Sequence, residues 1–191
     1  LKTSERSDSI IVGSVGSENR DYGTLIQAAS GLPDNLSFRL VPTGFSPQLN
    51  RIAIPNIVIP KNIEIVKCEM GALRDFYSHC DILCVSTRES LSPYGLTSLL
   101  EAMAMGKPVI ATRSSGLGDY IIEGETGLTV ATGDVEGWRT AIRRLSADAA
   151  LRKRLGENAR HWVEENATME RWAAAIVQTL RPFPARCDAQ V

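Results

Sequence analysis

The sequence predicts an α/β fold: a Rossmann-like parallel sheet with helices on both faces. Apolar strand-like runs alternate with helix-like runs along most of the chain. Asp81–Thr87 (DILCVST) has the look of a buried strand. Elements of these lengths in strict alternation imply right-handed βαβ units and hence parallel pairing.

The elements follow in order. Ser9–Val15 (SIIVGSV) is a short apolar run containing Gly13, with Gly16 just after it, and reads as the first strand. Thr24–Ser30 reads as the first helix. Leu36–Pro42 alternates with period two, and a Pro- and Gly-containing loop follows from Thr43 to Pro60. Asn62–Cys68 alternates again. Met70–Cys80 carries Leu73, Phe76 and Tyr77 at helical spacing. Asp81–Thr87 is the next strand. A helix follows in YGLTSLLEAMAMG (Tyr94–Gly106), with Leu96, Leu99, Leu100 and Met103 as its predicted buried stripe. Lys107–Thr112 is a strand, and Glu125–Ala131 is another after a turn. Asp134 is a good N-cap for a helix with Val135, Trp138, Ile142 and Leu145 on one face. Asp148 and Thr168 would cap two more, carrying Leu151, Leu155 and Trp162, then Trp172, Ile176 and Leu180. The expected domain is 1–181, with 182–191 a loose tail.

The chain has 191 residues, 43% hydrophobic and 23% charged, within the ordinary globular range. A formal net charge of −1 supplies no general attraction to nucleic acid or anionic membrane, so any phosphate recognition has to be local. No apolar run approaches the ~18–20 residues of a membrane span. Cys68, Cys80, Cys84 and Cys187 form no CxxC pair and no metal-ligand spacing, and the first three read as reduced core thiols of a cytosolic protein. His79 and His161 sit in polar or helical contexts and read as structural or exposed. The first residue is Leu1, which suggests a piece of a longer polypeptide.

Ligands on parallel sheets bind at the carboxyl ends of the strands, where helix N-termini converge. Three loops lie there: Gly13–Arg20, Lys67–Gly71 and Thr87–Ser98. In the first, Gly13 and Gly16 allow a tight turn, and Arg20 stands just before the helix, either facing an anion or solvated. The loop is neither GxGxxG nor GxxxxGK[ST]. The Thr87–Ser98 loop is longer than the ~2–6 residues a βα connection needs. It ends in Gly95-Leu96-Thr97-Ser98, whose free N–H groups and helix dipole make an anion site. Glu101 lies off the apolar stripe, on the side of Thr97 and Ser98. It is either the far end of a capping box, Ser98-x-x-Glu101, or a carboxylate facing the crevice to accept bonds from a diol; spacing alone favours the cap.

The segment Asp81–Val130, with YGLTSLLEAMAMGKPVIAT and GLGDYIIEGETGLTV, resembles the donor-binding half of retaining GT-B glycosyltransferases of the family four (group 1) type. Gly13–Ala28 resembles that family more loosely. The resemblance implies the C-terminal Rossmann-like half of a two-domain enzyme. The implied reaction is transfer of a hexose, with retention, from a nucleotide diphosphate sugar, in cell-surface polysaccharide or glycoconjugate synthesis. It assigns Glu101 to the nucleotide ribose, with Gly13, Ser14, Gly16, Arg20 and Tyr94 to Ser98 around the donor. It places the nucleobase beside Lys67 and Cys68.

Two positions depart from the family pattern. The Glu usually found eight residues before Glu101 is replaced by Pro93, and the nearest upstream acid is Glu89. Either Glu89 reaches the donor hexose from a longer loop, or that role has moved or gone. Ser14 stands where Arg is usual, and Arg20 takes the place of the usual Lys. Glu89 and Arg20 are therefore the catalytic candidates, Arg20 by stabilising charge on the leaving diphosphate. No DxD motif is present, and no metal or cofactor is expected.

The implied partners are a nucleotide-sugar donor and a separate N-terminal acceptor half, through which any peripheral membrane association would run; nucleic acid is not among them. The rivals are a nucleotide-sugar epimerase and a non-catalytic nucleotide-binding or interaction domain. Glu89 discriminates: a place in the crevice favours transfer, and a solvated place on the loop favours the binding module.

Overall fold

The structure, a computed structural model, describes residues 9–42 and 57–180. Most of the expected 43–60 loop, Cys187 and the predicted tail at 182–191 lie outside those residues. The elements are β1 (Ile10–Val15), α1 (Tyr22–Ala29), β2 (Leu36–Val41), β3 (Ile63–Ile65), a 3-10 turn at Met70–Ala72, α2 (Leu73–His79), β4 (Ile82–Val85), α3 (Leu96–Ala104), β5 (Val109–Thr112), β6 (Leu128–Val130), α4 (Val135–Ala147), α5 (Ala149–Asn166) and α6 (Met169–Leu180).

Six strands form one sheet in the order β3-β2-β1-β4-β5-β6, and every pair is parallel. The chain therefore winds outward from β1 in one direction, returns to β4, and winds outward in the other. The switch of direction falls between β1 and β4, where no crossover connection blocks the strand ends and a crevice opens. Several strands are shorter than their sequence patterns. Asn62–Cys68 yields only Ile63–Ile65, which pairs with β2 alone among the described residues.

Side chains on the two sheet faces build two cores. One gathers Val12, Leu36, Phe38 and Ile110 with Tyr22, Leu25 and Ile26 of α1 and Trp138, Ile142 and Leu145 of α4. The other gathers Val15, Leu83, Val85 and Val109 with Phe76 and Tyr77 of α2 and Leu99 and Met103 of α3. Helix α5 joins them, giving Leu151 and Leu155 to the first and Ala159 to the second. Each fully buried large apolar side chain contributes about 1.5–3 kcal/mol.

Asp134 and Asp148 are N-caps as expected, accepting from Gly137 N at 2.8 Å and Leu151 N at 2.8 Å. Thr168 Oγ1 accepts from Arg171 N at 3.3 Å. Helix α1 starts two residues before its apolar pattern, because Asp21 accepts from Thr24 N at 3.1 Å. Helix α6 forms, yet Trp172, Ile176 and Leu180 remain exposed on it.

The cores also hold proton-bearing groups. Burial pushes the Tyr22 hydroxyl and the Cys80 thiol each up to about 12, and raises Tyr77 and Cys84 as well. The unfolded chain loses these protons from about pH 8.5 for thiols and 10 for tyrosines, while the folded chain keeps them. Over that window the folded state binds more protons, so stability falls as pH rises. The urea midpoint under reducing conditions is expected to hold near neutrality and to drop steadily between pH 8.5 and 11. An unchanged midpoint at pH 10.5 would contradict this account.

Candidate functional site

Two loops meet above the switch point and are stitched together through their backbones. Asp21 N donates to Ser86 O at 3.0 Å and Arg88 N to Asn19 O at 3.1 Å. Asn19, in the left-handed region at φ 52°, returns a bond from Nδ2 to Arg88 O at 3.2 Å. Tyr22 OH donates to Gly16 O at 2.7 Å, so the first loop is tied to α1 as well. Between the loops lies a crevice of about 500 Å³. Gly16 to Glu18 and Arg20 line one side; Tyr94 to Ser98 and Glu101 line the other, and Leu73 closes an edge.

Arg20 is the cation of this crevice and is only 5% exposed. Nε and Nη2 both donate to Val15 O, at 2.9 and 2.8 Å, and Nη2 also donates to Ser98 Oγ at 2.6 Å. Nη1 makes only a long bond to Glu18 O at 3.4 Å, which leaves a donor of this group for a ligand. No carboxylate forms an ion pair with Arg20 among the described residues. Desolvation accordingly holds the guanidinium below its usual value, against smaller opposing effects of Tyr22, Tyr77 and Glu18. A cation taken out of water, with no ion pair among the described residues, favours an anion beside it.

Two glycines make room for this side chain. Gly16 sits at φ 109°, and a Cβ there would collide with Arg20 Nη2. Gly95, the N-cap of α3, sits at φ 88°, and a Cβ there would come within 2.9 Å of Nη1 and 2.7 Å of Val85. Both need the left-handed region as well as the space.

Helix α3 begins at Leu96, so Ser98 lies inside its first turn. The capping box is therefore corrected: Ser98 Oγ donates to Gly95 O at 3.0 Å and accepts from Arg20. Glu101 Oε2 accepts from Tyr77 OH at 2.7 Å. The buried stripe is rotated too, to Ser98, Leu99, Ala102 and Met103, with Leu96 and Leu100 half-buried. The N–H groups of Thr97 and Ser98 have no intrahelical partner and face the crevice region with the positive end of the helix dipole. Ser17 adds a hydroxyl that is 7% exposed and without a hydrogen-bond partner among the described residues.

The description "Glycosyl transferases group 1" matches residues 2–162 of the sequence. The chain belongs to that family. It is 30% identical over 180 residues to the lipopolysaccharide core biosynthesis glycosyltransferase LpsE of Rhizobium meliloti, covering 93% of this chain and 52% of that protein. It is 39% identical over 154 residues to N-acetyl-alpha-D-glucosaminyl L-malate synthase of Bacillus anthracis, covering 77% of this chain and 38% of the relative. Among solved structures, sucrose-phosphate synthase from Thermosynechococcus elongatus superposes with TM-score 0.77 at 32% identity, over 92% of this chain and 45% of that one. Anabaena HepE, in complex with UDP-glucose, shares the fold at TM-score 0.75 and 19% identity, over 91% of this chain and 49% of that one. This glycosyltransferase domain thus spans about half the length of such relatives, or less.

Several expected donor contacts of the glycosyltransferase domain lie elsewhere in the structure. Gly13 and Ser14 belong to β1, which runs on to Val15. A Cβ at Gly13 would stand 2.5 Å from Cys80 Sγ, so this glycine lets α2 approach the sheet. Ser14 is fully buried and donates to Cys84 O at 2.7 Å. Lys67 is exposed and Cys68 half-buried, and neither lines the crevice. Glu89 is exposed on its loop, where Oε1 accepts from Ser115 N at 3.2 Å and Ser115 Oγ at 3.3 Å. Its carboxylate holds the turn after β5 and lies outside the crevice. Arg20, Gly16, Tyr94, Gly95, Leu96, Thr97, Ser98 and Glu101 do come together. Sequence reasoning missed Ser17, Glu18, Leu73 and Tyr77; for Tyr77 the helical spacing pointed only to a core position.

Proposed function

We propose that the chain is the donor-binding half of a hexosyltransferase that takes a sugar, with retention, from a nucleotide diphosphate sugar. The observation that carries this reading is Arg20: a buried guanidinium without an ion-pair partner among the described residues, with a spare donor, opposite the N-terminus of α3 in one crevice. The diphosphate lies between them. The ribose diol reaches Glu101, about one turn further along the helix. As the glycosidic bond breaks, negative charge grows on the outer phosphate. Arg20, the Thr97 and Ser98 amides and the Ser17 hydroxyl are preorganised to meet it, so no metal is called for. UDP-glucose in HepE, a protein of the same fold, supports a nucleotide-sugar ligand, and the lipopolysaccharide core relative supports a role in cell-surface glycoconjugate synthesis. The acceptor side belongs to a second domain, and the chain by itself transfers no sugar.

The place of Glu89 favours a second reading. With that carboxylate outside the crevice, a nucleotide-binding module without transfer is the alternative.

A thermal-shift panel of uridine, guanosine and adenosine diphosphates tests binding. At 100 times its Kd a ligand stabilises by about 2.7 kcal/mol, so the preferred nucleotide is expected to raise Tm by several degrees. The absence of any shift at millimolar nucleotide would overturn both readings. Sugar transfer by a longer polypeptide carrying this domain, absent from the domain alone, separates the first from the second.

A further inference from the structure

We propose that Tyr77 is a positioning residue for nucleotide recognition: its hydroxyl locks the Glu101 carboxylate in the orientation that receives the ribose diol. The inference rests on the nucleotide reading of the crevice and extends it to a residue that touches no ligand. Tyr77 is 2% exposed, on α2, and packs edge-on against Phe76 with ring centroids 6.0 Å apart. Its hydroxyl donates to Glu101 Oε2 at 2.7 Å. Oε1 accepts no hydrogen bond from the described residues. One oxygen is therefore anchored to the core, and the other, with the remaining lone pair of Oε2, is left for incoming hydroxyls.

The anchor has a physical purpose. A glutamate near the start of a helix has three rotatable bonds and otherwise samples several orientations. A diol requires two acceptor directions fixed relative to the phosphate site. Tyr77 supplies the constraint from the sheet side, because its ring is held in the core formed by α2, α3 and the strands. The phenol stays a donor across ordinary pH: burial and the bond to Glu101 both push its proton affinity up. A bond to Glu101 also links the ribose end of the crevice to α2, an element outside the sequence motifs that form the rest of the site.

The test is Tyr77→Phe. Dissociation constants are measured for uridine, guanosine or adenosine diphosphate, whichever the panel selects, and for the matching 2′,3′-dideoxy nucleotide, which lacks the diol. The wild type is expected to prefer the ribonucleotide at least tenfold. Tyr77→Phe is expected to weaken the ribonucleotide roughly 3–10-fold, the range of one ordinary hydrogen bond, and to leave the dideoxy nucleotide unchanged. In a Glu101→Gln background the same substitution is expected to have much less effect on either ligand, since Tyr77 acts through the carboxylate. Equal losses for both nucleotides, or a full loss persisting without the carboxylate, would show that Tyr77 is merely structural and overturn the proposal alone. A wild type that binds a nucleotide without preferring the diol would remove the ribose role of Glu101, and the role of Tyr77 with it. A wild type that binds none of the nucleotides removes the reading of the crevice itself.

Discussion

Arg20→Ala is expected to lower nucleoside diphosphate affinity at least a hundredfold, monophosphate affinity less, and nucleoside affinity hardly at all. The gradient follows from the geometry. The guanidinium is 5% exposed, carries no ion-pair partner among the described residues, and keeps an Nη1 donor toward the crevice. A hydrogen bond to a charged group contributes about 1.5–3 kcal/mol, and the long-range attraction adds to it in proportion to ligand charge. Affinity of the wild type for the diphosphate is also expected to fall as salt rises, because the open side of the crevice is screened over ~8–10 Å. The substitution has a structural cost too. It strips Val15 O and Ser98 Oγ of donors and leaves space between β1 and α3, so folding stability is expected to drop by about 2–4 kcal/mol. Titrations at a temperature well below the variant's Tm separate the two effects. Arg20→Lys, which keeps the charge and loses the fork, is expected to retain part of the diphosphate preference. Equal losses for nucleoside and diphosphate would mean that Arg20 only holds the loop.

Glu101→Gln is expected to cut ribonucleotide affinity at least tenfold and leave the melting temperature within a degree or two. The carboxylate accepts from Tyr77 and caps nothing, so the helix start does not depend on its charge. The glutamine carbonyl still accepts from Tyr77. What is lost is the negative oxygen offered to the diol, where charge-assisted bonds contribute roughly 1.5–3 kcal/mol each. Calorimetric titration beside a thermal melt checks both halves. Unchanged affinity in a folded variant would rule out the ribose role, and a fall in Tm of several degrees would show a structural one.

Periodicity and caps were sufficient for the elements. Asp134 and Asp148 announced α4 and α5 because a cap is a local bond between neighbours in sequence. Apolar runs and period-two alternation announced the strands, because the alternation of side chains along a strand is local as well. Half of the site was equally local: Gly95 to Ser98 offer free N–H groups because a helix starts there, and the motif around Glu101 carried the family resemblance despite Pro93.

What the tertiary structure decided are the relations between segments distant in sequence. Arg20 reads as surface or ligand from its own loop, and only the tertiary approach of Ser98, 78 residues away, makes it a buried group forked on Val15 O and bonded to Ser98. Tyr77 reads as core from its spacing, and only the register of α2 against α3 puts its hydroxyl on Glu101. Glu89 was the acid nearest the expected position, yet its loop folds onto the turn at Ser115 and takes the carboxylate away from the crevice. Gly13 and Ser14 sit one or two residues too early, because pairing with β2 carries β1 through Val15. Sequence patterns determine which residues repeat at helical or strand period, since helix bonds close within a few residues and side-chain alternation along a strand is a property of the local backbone. Which side chain meets which across the sheet is set by register and helix packing, and a single chain does not write those down locally.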